Sequence, residues 1–379
     1  MLQIFVIGLL AGLLYIIQGN FYKKNWSKGI RADIKFRSGT VTRGDKSSLT
    51  EVIENRKKLP LSMLKVKFRT SRNLKFDNET GSKSTDFYYR NDIFHVKGNE
   101  KITRTISFVA GKRGYYVVES MELIASDLFL TLEFVEKKKI NENIYVIPKP
   151  FHSDIFDHSL KTLNGDIITK RNFSTDPFEF KGIREYQPFD SMKDINWKAS
   201  AKNDHFMVNE HNYTSSPDVK ILLDVEDNGV LKKEKAVECC FDIVARLLEF
   251  FVSSGVFVTL SSNGRDLITD ECIEREISTG RGELMNVYKA LARVDLSKNP
   301  GNILSNYEFL KKRDTSDSVY IIVSPNMYQD LYGIVKEIKE KKRKLCFYYP
   351  TEEPFKKEDT DISFFEKDFV EINIKNLEL

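Results

Sequence analysis

Histidine and cysteine are scarce here, with five and four in 379 residues. The four cysteines, two of them the adjacent pair Cys239-Cys240, follow neither a disulfide nor a metal spacing. Adjacent cysteines in a helical pattern read as core packing in a reducing compartment. His152, His158, His205 and His211 match no metal-site spacing and read as surface or hydrogen-bonded side chains. Gly-x-Ser-x-Gly, P-loop and His-Glu-x-x-His motifs are all missing, so nothing in the sequence calls for an enzyme and none is expected. A surplus of charge is missing as well. Lys+Arg of 59 against Asp+Glu of 55 leaves +4, too dispersed for a nucleic-acid face. The start of the chain lacks the marks of a cleaved leader: no basic region precedes its apolar run and no Ala-x-Ala-like site follows.

What stands there is an uncharged segment, residues 1–22, dominated by Leu, Ile, Val and Phe. About 20 helical residues cross the ~30 Å hydrocarbon layer, so the length suffices for a transmembrane anchor. Tyr15, Phe21, Tyr22 and Trp26 supply interfacial aromatics, and Lys23, Lys24, Lys28 and Arg31 follow at once. The positive-inside rule then puts the body in the cytoplasm, making this a single-pass cell-membrane protein with the lipid bilayer as a partner.

Beyond the anchor, 41% hydrophobic and 30% charged residues describe an ordinary globular chain, long enough for two cores. From Ile30 to about Glu136 the pattern has period two. Ile102, Ile106 and Phe108 share one face, interrupted by Arg104, and Lys101, Thr103, Thr105 and Ser107 share the other. Turn signals at Arg43-Gly-Asp45 and Lys112-Arg-Gly114 separate such runs, which predicts an all-β, sandwich-like domain over 30–138. Residues 139–217 read as a connector, with Gly165 to Asp176 composed like a loop. From Asp218 the pattern turns to strand–helix alternation. Val219–Leu223 ends at Asp224, a helix runs over Lys232–Ser253, Gly255 stops it, and Val256–Leu260 is a second buried strand. Asn263-Gly264 reads as a turn between elements. Further strand and helix runs reach Tyr349, so 218–379 is expected to be a doubly wound α/β domain.

Within the connector, Lys181 to Ala201 mixes buried-type aromatics with closely spaced charges of both signs. Arg184, Tyr186, Pro188, Asp190, Ile195 and Trp197, followed by Ala199-Ser200-Ala201, resemble the signature of the bacterial domain-of-unknown-function 58 family. Phe189, Lys193 and Asn196 depart from it, standing for Gly, Arg and Asp or His. From the residues alone, the stretch reads as a junction. Trp197 is expected to be buried, Arg184 paired with Asp190 or Asp194, and Asp194 to cap a short turn. An exposed partner-binding patch is the rival reading.

The resemblance implies a von Willebrand A-like fold for residues 218–379. Such folds usually hold Mg²⁺ through Asp-x-Ser-x-Ser and a later Thr and Asp. In this chain Asp224 keeps the first position, but Glu226 and Asn228 replace both serines and Ser324-Pro-Asn326 lacks the later acid. No metal or other cofactor is therefore expected, with at most weak affinity for a divalent cation. The resemblance also implies a partner, a MoxR-type AAA+ ATPase. The expected function is a non-enzymatic, membrane-anchored interaction or scaffold protein of the bacterial envelope. The alternative is an outward-facing metal-dependent adhesion module built on a von Willebrand A domain.

Overall fold

The computed structural model describes residues 2–77, 82–83, 87–173, 175–187, 190, 192–203, 205–213, 218–227, 233–278, 280–312, 314–315, 317–353 and 368–375. The chain divides into two compact units, Met1–Lys149 and Pro150–Leu379.

The first unit opens with α1 (Leu2–Asn25), which ends in Lys23 and Lys24. The helix is long and apolar enough to cross a membrane, and its apolar side chains from Ile4 to Ile17 lie open. Its last turns are docked. Tyr22 and Trp26 belong to the core beneath, the Tyr22 hydroxyl donates to the Pro60 carbonyl at 3.3 Å, and Trp26 stacks on Phe134. The Lys57 ammonium donates to the Asn25 carbonyl at 2.8 Å, which satisfies an end group of the helix.

The strands that follow are β1 (Ile30–Phe36), β2 (Thr40–Thr42), β3 (Lys46–Asn55), β4 (Leu61–Ser71), β5 (Leu74–Phe76), β6 (Ser82–Lys83), β7 (Phe87–Val96), β8 (Lys101–Ala110), β9 (Gly114–Ser126) and β10 (Glu133–Ile147). They form two sheets, in the orders β1-β3-β8-β5 and β2-β10-β9-β4-β7-β6. Alternation is the cause: β7 switches between exposed and buried at every residue. Leu49, Ile53, Leu64, Val66, Phe94, Phe108 and Ile144 meet in one core between the sheets. Each such side chain contributes about 1.5–3 kcal/mol when fully buried. The boundary expected at 138 is corrected to 149, because β10 pairs with β9 from Glu133 to Val146. Lys139, expected at the start of the connector, lies on that strand. Arg104, the residue that interrupts its face, reaches Asp92 at 2.8 Å, and Asp92 also binds the buried Arg90 at 2.5 Å.

The second unit starts with α2 (Asp154–Phe173) where a loop was expected at 165–176. Phe156, Leu160, Leu163 and Ile167 recur at helical spacing and are buried, which holds the helix despite Gly165. Ser153 caps it, its hydroxyl accepting from the Phe156 amide at 3.3 Å. A hairpin of β11 (Thr175–Glu185) and β12 (Met207–Tyr213) encloses a 3-10 turn at Met192–Asp194 and the short α3 (Trp197–Asn203).

Next come β13 (Asp218–Leu223), α4 (Glu234–Ser253), β14 (Phe257–Arg265), β15 (Cys272–Ile277), α5 (Arg281–Ala292), α6 (Ile303–Lys311), β16 (Val319–Val323), α7 (Gln329–Glu340), β17 (Lys344–Thr351) and β18 (Phe369–Asn373). The sheet order is β15-β14-β13-β16-β17-β18, which is 3-2-1-4-5-6 in chain order. Every pairing is parallel except β14 with β15, so the sheet is mixed rather than purely parallel. β13 is buried at all six residues, as a central strand covered on both faces must be. On one face α6 and α7 pack against Leu222, Ile322 and Phe347. On the other, Phe156 of α2 meets Tyr348 edge-on at 4.9 Å and Ser159 bonds the Tyr348 hydroxyl at 2.9 Å. Gly255 ends α4 as expected: at φ +71° it lets the Val256 amide reach the Phe251 carbonyl at 3.0 Å.

Candidate functional site

Two places collect the residues singled out by sequence. The first is the β11–β12 hairpin and what it encloses. Arg184, near the end of β11, grips Asp190 through two parallel hydrogen bonds of 2.6 Å. Asp190 also accepts from the Gln187 amide at 2.8 Å, which closes the turn. These bonds, the Arg184 guanidinium foremost, hold the Asp190 carboxyl below its ordinary range. Pro188 lies outside the described residues.

Downstream of the clamp, Ile195 is buried and bridges Val208 of β12. Asn196, not Asp194, caps the helix that carries Trp197. Its side-chain oxygen accepts from the Ala199 amide at 2.9 Å, and its amide donates to Asn209 at 2.7 Å. Ser200 ties the same helix to β12, donating to the Asn196 carbonyl and accepting from the Met207 amide, each at 2.8 Å. The bracing roles of Asn196 and Ser200 are what sequence reasoning missed, although an Asn just before a helix is a recognisable cap signal.

Trp197 contradicts its expected burial: it is 67% exposed. It occupies the first position of a seven-residue helix whose described residues include none that is buried, and the core-facing place is taken by Ile195. Its ring meets Phe206 edge-on at 6.2 Å, and Phe206 meets Tyr186 at 6.3 Å. Phe206, Met192 and Ile183 are themselves exposed. The signature thus builds a hydrogen-bonded frame, Arg184–Asp190 and Asn196–Ser200, beside exposed aromatic rings, Trp197 and Phe206, that pack edge-on.

The second place is the switch point of the sheet, where the loops after β13 and β16 run to opposite faces. Asp224 lies there, wholly buried. One carboxylate oxygen accepts from the Asn263 amide at 2.7 Å and the Glu226 backbone at 3.0 Å, and the other from the Ser324 hydroxyl at 2.7 Å. Burial pushes its pKa up against those bonds. Asn263 is not in a turn, as expected, but inside β14, beside an irregularity between Ser262 and Arg265. Its oxygen takes the Val225 amide at 2.9 Å, so one side chain fixes two consecutive residues of the β13 exit. Gly264 must be glycine here, since a Cβ would come within 2.6 Å of Val294.

Across the crevice the Asn326 amide donates to the Glu226 carbonyl, and the Lys233 ammonium lies 3.3 Å from the Pro325 carbonyl and 3.5 Å from the Asn326 side-chain oxygen. Burial, followed by the charges of Asp224 and Glu226, pushes the Tyr328 hydroxyl pKa up. This donor set does not fit a hard divalent cation. Both Asp224 oxygens accept from N–H and O–H donors, the Ser324 oxygen accepts from the Asn326 backbone amide at 3.0 Å, and a cationic lysine enters the crevice. Among the described residues no three His, Cys, Asp or Glu side chains gather as a metal cluster. Asn228 lies outside the described residues.

No curated protein matches the chain. Among solved structures, the CARDB domain of a Pyrococcus furiosus protein, in complex with di-metal ions, is similar at 13% identity and TM-score 0.22, covering 31% of this chain and 91% of that one. The sporulation control protein Spo0M from Bacillus subtilis is similar at 9% identity and TM-score 0.18, covering 42% of this chain and 58% of that one. Scores this low give neither likeness weight for the fold. The hairpin signature and the sheet from β13 through β16 fall together inside one stretch, residues 182–347, which matches the family described as "Protein of unknown function DUF58".

Proposed function

We propose that this chain is a non-enzymatic, membrane-anchored docking protein of the bacterial envelope, held by α1 with its body in the cytoplasm, whose second unit is a von Willebrand A-like domain. The 3-2-1-4-5-6 sheet with an antiparallel third strand supports that fold assignment. One observation carries the function: the signature holds Trp197, Phe206 and Met192 open on a braced frame, with relative exposures of 67%, 57% and 75%. Rigid aromatic anchors of this kind are typical of the hot spots of protein interfaces. The family resemblance names the partner, a MoxR-type AAA+ ATPase. A metal-dependent adhesion role fits poorly, because Asp224 has no oxygen uncommitted to a donor.

The test is binding of the full chain, in detergent or nanodiscs, to the purified MoxR-type ATPase of its own cell. Trp197→Ala is expected to weaken binding by about 2 kcal/mol, roughly 30-fold, as a hot spot does. Undiminished binding, or none by the parent chain, overturns the reading.

A further inference from the structure

Beside α1, the turn joining β9 to β10 has a composition unlike any other in the first unit: Asp127-Leu-Phe-Leu-Thr-Leu132. Leu128, Phe129, Leu130 and Leu132 are 54%, 58%, 56% and 40% exposed, and Val135 just beyond is 62% exposed. The polar groups of the turn are meanwhile turned inward. Asp127 is fully buried and accepts from the Thr131 amide at 2.7 Å, the Leu132 amide at 3.0 Å and the Thr131 hydroxyl at 2.9 Å. Backbone bonds from Asp127 to the Leu132 carbonyl and from Leu130 to the Asp127 carbonyl complete the closure. A turn that ties four of its six backbone amides inward while showing hydrocarbon outward is better suited to lipid than an open one, since an unpaired polar group is costly there.

The turn is fastened to the helix. Gln18 donates to Asp127 at 2.7 Å, the Tyr15 hydroxyl donates to Thr131 at 3.0 Å, the Tyr15 and Phe129 rings lie 6.2 Å apart, and a Cβ in place of the Gly19 hydrogen would come within 3.1 Å of the Leu132 side chain. Its apolar side chains therefore stand at the level of residues 15–19 of α1, continuous with the exposed Leu14 and Ile17. The uninterrupted apolar part of the helix, Ile4 to Ile17, is by itself about 21 Å long at ~1.5 Å per residue, short of a ~30 Å hydrocarbon layer. Leu132 and Val135 carry apolar surface past Gln18, toward Trp26, over the missing span. Lys23 and Lys24 follow at headgroup depth.

We infer that the β9–β10 turn, Leu128 to Leu132, is a second membrane contact that inserts among the acyl chains at the bilayer face alongside α1, so that the first unit is seated on the membrane and not merely tethered to it. The inference rests on the reading of α1 as a membrane anchor. Its occupant is lipid rather than a protein, because the surface continues that of α1 and the side chains form a thin rim about the helix.

The test uses the full chain reconstituted in phosphatidylcholine–phosphatidylglycerol vesicles with or without bromine on the acyl chains, which quenches tryptophan on contact. Two single variants are compared with the parent, whose tryptophans are Trp26 and Trp197: Leu10→Trp reports the anchor and Phe129→Trp the turn. Quenching of most of the emission added by each variant, with a blue shift, is the expected result. Quenching for Leu10→Trp alone overturns the insertion and leaves the anchor standing. Quenching for neither overturns both. A blue shift without quenching for Phe129→Trp means that protein covers the turn, and also overturns the inference. Leu128→Trp repeats the measurement should Phe129→Trp fail to fold.

Discussion

Glu51 occupies an inward position of β3, between two sheets, with 1% of its surface exposed. Arg90 and Asp92 of β7 and Arg104 of β8 face it, and Arg90 also lies over the Phe76 ring at 5.5 Å. Burial pushes the Glu51 carboxyl up to about 8, the charge of Asp92 adding to the effect and the two arginines opposing it. The folded chain thus holds a proton that the unfolded chain releases near the ordinary 4.5. Its contribution to stability is complete below that value and is lost as pH rises through about 8. The melting temperature of the first unit should therefore fall between pH 5 and pH 8, roughly the window the linkage defines, and Glu51→Gln should flatten the decline. A parent profile that is level over that window would refute this account. At Trp197 the expectation is the opposite of a core residue's. Trp197→Ala should alter stability by no more than about 0.5 kcal/mol, as exposed substitutions do, whereas the neighbouring Ile195→Ala should cost about 2–5 kcal/mol. Differential scanning calorimetry of the two variants separates frame from surface. Which aromatic of the signature lies open was not legible in the sequence, because exposure depends on which other element arrives to cover it. The interruption of a strand face by Arg104 was legible, but its partner Asp92 was not.

Among the elements, those with a strong local signal were readable. α1 carries no charge before Lys23, β13 runs apolar from Ile221 to its end, and α4 buries Val237, Cys240, Val244, Leu247, Leu248 and Phe251 as its spacing foretold. α2 was missed because its hydrophilic residues and Gly165 outweigh a narrow stripe in which only every third or fourth residue is apolar. The reversal of β15 leaves no local trace, since strand direction follows from the route of the connection. At the switch point Asp224 was identified from its place after β13, but Asn263, one of its ties, looked like half of a turn dipeptide. Asp224→Ala would orphan the Asn263 amide and the Ser324 hydroxyl in a buried site, at about 1–3 kcal/mol for each. Titration calorimetry with Mg²⁺ should register no binding that this substitution removes. Micromolar affinity lost in the variant would mean that the loops rearrange to admit a cation.

For the whole molecule, the arrangement proposed is a seated first unit and a second unit that displays its signature. Protease added to cells stripped of their wall should leave both units intact if Lys23, Lys24 and Lys28 mark the cytoplasmic side. Cleavage within the β11–β12 hairpin would reverse the orientation. The sheet order of the second unit also sets a timetable for synthesis. β13 emerges first and receives β14 on one side soon after, but its other edge waits for β16. The ribosome needs on the order of 5–20 s to pass from Leu223 to Val319 at ~5–20 residues per second. Through that interval the apolar edge of a half-built sheet is open to strand addition. Newly made chains should therefore be most vulnerable to misassembly while α5 and α6 are being translated, well before the last strand exists.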